Sequence, residues 1–227
     1  MDARRLAGRR DDPARFYNPA AVRTLIELGL AIFTWLSAQN RRDQQAVISF
    51  KARSYRLDEA KELDLEDVRM LKREEVNHLC PELPFVQRTT DDAATEVQKH
   101  IQRTGQYLSR SQYGTAVHWC LKQKIDVLED PNLRAEVSYL KSQEANRYGE
   151  KDSIRVDVLE KEDDRVCVYD IKTGRSGLSA PRMAEIAGTV LRAYPGTKRI
   201  IVTEVRPGQG DGTSRSPARE TVRCYGE

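Results

Sequence analysis

Apolar side chains recur along this chain with two different periods, and the change from one to the other organises it. From residue 19 to about residue 40 the positions Val22, Ile26, Leu30 and Phe33 fall every three or four residues, the spacing of one buried helix face. AVISF, residues 46–50, reads as a strand. LDLEDVRMLKREEVNHLC, residues 63–80, is laced with both signs of charge and reads as a helix stopped by Pro81 and Pro84. DDAATEVQKHIQRT, residues 91–104, reads as another polar helix, its acidic residues in the first turn where the helix dipole favours them.

Beyond Gly105 the order becomes helix, strand, strand, strand, helix, strand. YGTAVHWCLKQKIDVLED (residues 113–130) is a helix ended by Pro131, and LRAEVSY (133–139) is a first strand. Two alternating runs follow within SIRVDVLEKEDDRVCVYDIKTG, residues 153–174. Residues 179–194 form a helix with Ser179 as N-cap and Pro181 in the first turn. KRIIVTEV, residues 198–205, is an unbroken apolar strand of the kind buried in a mixed sheet. The expected class is therefore α/β, a mixed central sheet flanked by helices (residues 106–206), preceded by a mainly helical region (19–105). Residues 1–18, arginine-rich and aperiodic, are expected to be disordered, and the Gly/Ser/Pro/Arg-rich tail 207–227 loose.

Composition narrows the possibilities. The 227 residues are 39% hydrophobic and 32% charged, a foldable balance, with a net charge of only +3. No global basic field announces nucleic acid, so any such contact must come from a local patch. The most apolar run, residues 24–38, carries Glu27 and is shorter than the roughly 20 residues a bilayer span needs, so stable membrane insertion is not expected. Cysteines 80, 120, 167 and 224 stand apart without a C-x-x-C pair. That argues against zinc or iron–sulfur binding and leads to an expectation of reduced thiols in a cytosol-like place.

The candidate chemistry lies in residues 153–174. Strand parity puts Asp170 and Lys172 on one face with Val166 and Val168, and Cys167, Tyr169 and Ile171 on the other. A four-residue loop over Lys161 to Asp164 sets Glu160 opposite Arg165 and Asp157 opposite Val168, with Asp170 as the diagonal neighbour of Asp157. Two carboxylates near one point repel unless a cation joins them, and hard oxygen ligands favour magnesium or manganese. Such an ion with an adjacent ammonium suits phosphodiester hydrolysis. The plain alternative is a solvated Asp–Lys pair worth less than about 1 kcal/mol.

Asp157, then DIKTG at residues 170–174, followed by a helix and a strand, resembles the PD-(D/E)XK (restriction-endonuclease-like) nuclease superfamily. The upstream GTAVH, residues 114–118, resembles the Gly-x-x-x-His helix of its RecB-like branch. The resemblance covers residues 112–205 and implies a magnesium- or manganese-dependent nuclease acting on DNA. It implies Asp157, Asp170, His118 and Glu136 as metal-binding and catalytic residues, with Lys172 as the catalytic lysine. For Glu136 an exposed strand carboxylate beside Arg134 is the equal alternative. Val156 stands where the family has its leading Pro, and the usual Gln-x-x-x-Tyr of the following helix is missing. Arg182 and Glu185 occupy that first turn. Arg175 and Arg182, with Lys141 and Arg147, are candidates for phosphate-backbone contacts.

A lone nuclease half behind an unrelated N-terminal half also resembles bacterial polymorphic or secretion-delivered toxins. That analogy implies a cognate immunity protein and a delivery apparatus such as type VI secretion as partners. Such a protein would be made in the cytoplasm and act in the cytoplasm of a target cell. A housekeeping or phage nuclease for repair or RNA processing, and a catalytically silent fold used for binding, are the alternatives.

Overall fold

The computed structural model describes residues 19–53, 62–140, 143–144, 153–209 and 222–225. Helix α1 (Pro19–Ser37) leads into strands β1 (Gln44–Arg53) and β2 (Glu62–Lys72), then helices α2 (Arg73–Leu79), α3 (Leu83–Thr104) and α4 (Arg110–Asp126). Strands β3 (Leu133–Leu140), β4 (Gln143–Glu144), β5 (Ser153–Glu162) and β6 (Arg165–Ile171) follow, then helix α5 (Ala180–Ala193) and strand β7 (Arg199–Val205). All seven strands share one sheet, ordered β2-β1-β7-β6-β5-β3-β4. It is a mixed sheet: β6 and β7 run parallel through the α5 crossover, and every other neighbouring pair is antiparallel.

Strand alternation sorts the core into two apolar layers, one on each face. Cys167, Tyr169 and Ile171 of β6 join Val117 and Leu121 of α4 and Val86 and Val97 of α3. Val166 and Val168 join Leu30 and Phe33 of α1 and Ile186 and Val190 of α5. The α/β class with helices on both sides of a mixed sheet is thus observed.

Several expectations are corrected. Residues 62–72 form an edge strand, not a helix. A bulge skips Glu66 between Asp67 and Leu65, so Leu65, Val68 and Met70 reach one layer at a spacing that imitates a helix. The charges that favoured a helix are those a solvent-facing edge strand carries. Helix α2 does end at Leu79, before Pro81, but Pro84 opens α3, because a proline in the first turn lacks only an N–H that has no helical partner anyway. Helices α1, α2 and α3 take up most of residues 19–105, but this part also supplies two strands to the sheet. Ile48 of β1 faces Val202 of β7, and no boundary in the sheet falls near residue 105.

The cysteines are paired, not reduced. Cys80–Cys167 and Cys120–Cys224 are disulfides with Cα separations of 5.9 and 5.3 Å. Their sequence separations of 87 and 104 residues match no spacing motif, and only the fold brings them together. The second fixes residues 222–225 against α4, so that piece of the tail is not loose. Residues 1–18 lie outside the described residues. Among the described residues no helix is long and apolar enough to cross a membrane.

Candidate active site

The hairpin that carries the carboxylates has a shorter turn than expected. Asp163 and Asp164 alone make it, with Glu162 opposite Arg165 and Glu160 opposite Cys167. Asp163 takes φ 32°, a left-handed turn conformation that Asp tolerates better than most residues. The register Glu160–Arg165 is thus corrected by two residues. Carried on from Val158 opposite Tyr169, it sets Asp157 opposite Asp170 rather than diagonal to it.

A second irregularity aims the acids. Glu136 lies within β3 at φ 54°, which costs a non-glycine residue about 1–2 kcal/mol. Before it, Leu133 and Ala135 face the α3–α4 layer; after it, Val137 and Tyr139 face the α1–α5 layer. Strand β5 changes phase at the facing position, with Val156 in one layer and Val158 in the other. Two consecutive side chains on each strand, Ala135 with Glu136 and Asp157 with Val158, therefore turn toward α4. This inversion delivers both carboxylates to His118, which α4 presents from above.

The contacts are close. His118 Nδ1 lies 2.9 Å from Glu136 Oε1 and 3.6 Å from Asp157 Oδ1, and Nε2 lies 3.2 Å from the Ile171 carbonyl oxygen. The second oxygen of Glu136 pairs with Arg155 Nε at 2.8 Å. Asp157 Oδ2 accepts the Ile171 N–H at 2.9 Å, which ties the acid to the end of β6. One donor atom each from His118, Glu136 and Asp157 lies within 4.8 Å of the other two. Asp170 falls outside that trio and pairs instead with Lys172, Nζ to Oδ2 at 2.7 Å. Gly114 of α4 lets the helix approach this end of the sheet, since a Cβ there would stand 2.9 Å from Thr173 Oγ1.

The electrostatics show crowded negative charge. Burial pushes the Asp170 carboxyl up to about 7, helped by the charge of Asp157 and opposed by Lys172. Burial likewise raises Asp157, against the pull of His118 and of the Ile171 N–H. For His118 burial disfavours the charged ring, but the Glu136 hydrogen bond and the charges of Asp157 and Glu136 outweigh it and raise its pKa. Both ring nitrogens face oxygen acceptors, as an imidazolium requires.

All five residues singled out from sequence thus act on one another at hydrogen-bond or ion-pair range, in two sets: His118, Glu136 and Asp157, and Asp170 with Lys172. The Ile171 peptide joins the sets. Arg175 is exposed and lines a neighbouring recess with Tyr107 and Tyr113. Arg182 is engaged, 2.9 Å from Glu185 Oε2 and 2.7 Å from the Arg155 carbonyl oxygen, so it braces α5 to β5. Lys141 and Arg147 lie outside the described residues. Arg155 was not foreseen; its signal was a cation two residues before Asp157 on the same strand.

Comparison with family models, with curated proteins and with solved structures returned no match. The chemistry therefore rests on the residues themselves. An imidazole and two carboxylates whose donor atoms lie within 4.8 Å of one another, with a third carboxylate destabilised by burial and then by its neighbour's charge, form a donor set that could hold a divalent cation. His118, Glu136 and Asp157 would hold it, with Asp170 across the hairpin from Asp157.

Proposed function

We propose that this chain is a divalent-metal-dependent nuclease of the PD-(D/E)XK type that hydrolyses DNA phosphodiester bonds. The observation that carries the reading is the convergence of His118, Glu136 and Asp157 beside the Asp170–Lys172 pair. The order α4, β3, β5, β6, α5, β7 around them, with the two-residue β4 added at the edge of β3 and α5 crossing between the parallel strands β6 and β7, supports it further.

A bound magnesium or manganese ion would supply a Lewis acid for the phosphate and a water of lowered pKa. The chain's own groups do the remainder. Glu136 is held from both sides, by His118 and Arg155, so its carboxylate is aimed before any ligand arrives. Asp157 is fixed by the Ile171 N–H. Lys172 places a positive charge beside Asp170 at the rim, where it can orient the attacking water and offset charge that builds on the phosphate oxygens.

Plasmid DNA incubated with the purified protein tests the reading. Cleavage is expected with magnesium or manganese, none with EDTA, and a loss of at least about 100-fold in Asp170→Ala and Lys172→Ala variants that keep the melting temperature. Metal-independent cleavage, or full activity in either variant, refutes it.

The two disulfides bear on where the nuclease works. Such bonds persist in oxidising compartments and are rare in a reducing cytosol. They favour a delivered antibacterial effector over a housekeeping enzyme. Induction inside a bacterial cytosol and across its envelope separates the two: an effector kills and fragments the chromosome, whereas harmless expression refutes this part.

A further inference from the structure

Residues 200–205 of β7 are all buried, and among them only Glu204 is charged. Arg206 follows it two residues later. Register sets Glu204 beside Asp170 on the parallel strand β6, and the Lys172 N–H donates to the Val205 carbonyl oxygen at 2.9 Å. An acid and a base two residues apart therefore occur twice, side by side, as Asp170-Ile171-Lys172 and as Glu204-Val205-Arg206. The two pairs are served differently. Asp170 meets Lys172 at the rim, whereas Glu204 is wholly buried. A charge so buried persists only where partners satisfy it. Glu204 Oε1 accepts the Leu178 N–H at 2.5 Å, and Oε2 pairs with Arg206 at 2.9 Å.

Both side chains serve one loop. Residues 172–179 lead from β6 to α5 without helix or strand, so their backbone polar groups need partners elsewhere. Arg206 supplies two: Nη1 donates to the Gly174 carbonyl oxygen, and Nη2 donates to that of Ser176 at 3.4 Å as well as to Glu204. Leu178, whose N–H goes to Glu204, accepts at its carbonyl from Thr34 Oγ1 of α1 at 3.1 Å. Gly177 passes so close that a Cβ there would stand 2.9 Å from Glu204 Oε1. The Arg206 backbone is itself tied to α3, its carbonyl oxygen accepting from Gln87 Nε2 at 2.8 Å. One planar guanidinium thus bridges a buried carboxylate and two carbonyls, a fork that an ammonium does not reproduce. Lys172 stands where strand pairing ends and this loop begins, so the path of the loop governs where its side chain starts.

We propose that Glu204 and Arg206 are a positioning pair: they lock the loop of residues 173–178 and thereby hold Lys172 in place on Asp170. The locking stands on its own; its effect on cleavage rests on the nuclease reading. Arg206 has a second effect in the same place, because it offsets the negative charge that Glu204 brings beside Asp170.

The test uses the whole oxidised chain carrying Arg206→Lys and, separately, Glu204→Gln. The lysine keeps a positive charge beside Glu204 but lacks the fork. The glutamine can still accept from the Leu178 N–H but loses the charge pair. Amide hydrogen exchange in EDTA reads the loop without any need for activity. Residues 174–178 are expected to exchange about 10-fold faster or more in both variants, measured against residues 166–169 of β6. Plasmid cleavage with magnesium is expected to lose about 10- to 100-fold in kcat while KM stays within about twofold, as when a reacting centre is misaligned but binding is kept. Val202→Ala, in the core of the same strand, is the control for stability: it lowers the melting temperature yet keeps kcat within about twofold, because it leaves the loop contacts intact. Wild-type exchange of the loop in both variants, wild-type kcat in both, or an equal loss of kcat in Val202→Ala overturns the proposal. A wild-type protein that cuts nothing, with faster loop exchange in the variants, sinks the nuclease reading alone. Cleavage by the wild type that both variants match sinks this one alone.

Discussion

Glu160 offers a quantitative check on the interior. It is 2% exposed on β5, its Oε2 accepts the Tyr169 hydroxyl and the Glu82 N–H, and its Oε1 has no hydrogen-bond partner among the described residues. Burial lifts its pKa from 4.5 to about 7, although those two hydrogen bonds pull the other way. Below 4.5 the group is neutral in both the folded and the unfolded chain and costs nothing. Between 4.5 and 7 the folded state holds the proton that the unfolded state has lost, so stability falls as pH rises and levels off above 7. At 1.36 kcal/mol per pKa unit the full loss is about 3 kcal/mol. Glu160→Gln imitates the neutral form and can still accept from Tyr169. Its stability relative to wild type is therefore expected to rise by about 2–3 kcal/mol between about pH 5 and about pH 8. Urea unfolding with the disulfides intact measures it. Asp91, Asp157, Asp170 and His118, all raised, shift stability the same way with pH, but subtraction of the two proteins removes them. Profiles that run parallel across the window would refute the reasoning.

Two further outcomes are expected. Cys80→Ser opens a loop of 87 residues, for which chain entropy sets a loss of about 4–5 kcal/mol, visible as a lower urea midpoint; an unchanged midpoint would show that this cross-link constrains little. Gly114→Val drives a branched side chain into Thr173 at the end of β6 and is expected to lower plasmid cleavage about 10- to 100-fold in a folded protein, with wild-type rates counting against a close approach of α4.

What the sequence made legible was whatever depends on local period. The alternation of Val166 and Val168 against Cys167 and Tyr169, and the unbroken run of β7, read directly because nothing interrupts them. Strand β2 is hidden in the sequence because its bulge at Glu66 turns one step of two, Leu65 to Val68, into a step of three. The turn at Asp163–Asp164 was misjudged because every residue from Lys161 to Asp164 is polar, and polarity alone does not say where pairing stops. His118, Glu136, Asp157, Asp170 and Lys172 could be picked by residue type and order. The inversion at Glu136 that aims two of them could not, since a left-handed glutamate leaves no compositional trace. Nor could the disulfides, which depend on how α4 and α2 settle against distant segments.

The place of β7 in the sheet has a consequence in time. It lies between β1 and β6, yet among the described residues it is the strand furthest along the chain, and its contact with β1 links residues 48 and 202. On the ribosome the β1–β2 hairpin and the β3–β5–β6 hairpins can each form early, but they cannot join until residue 205 has emerged. Closing so long a chain loop makes this the slow step of folding, and β6, which ends in Asp170 and Ile171, keeps an open edge until then. The site matures only after translation has passed it, so a cell that makes this protein holds an unfinished sheet before it holds a finished one.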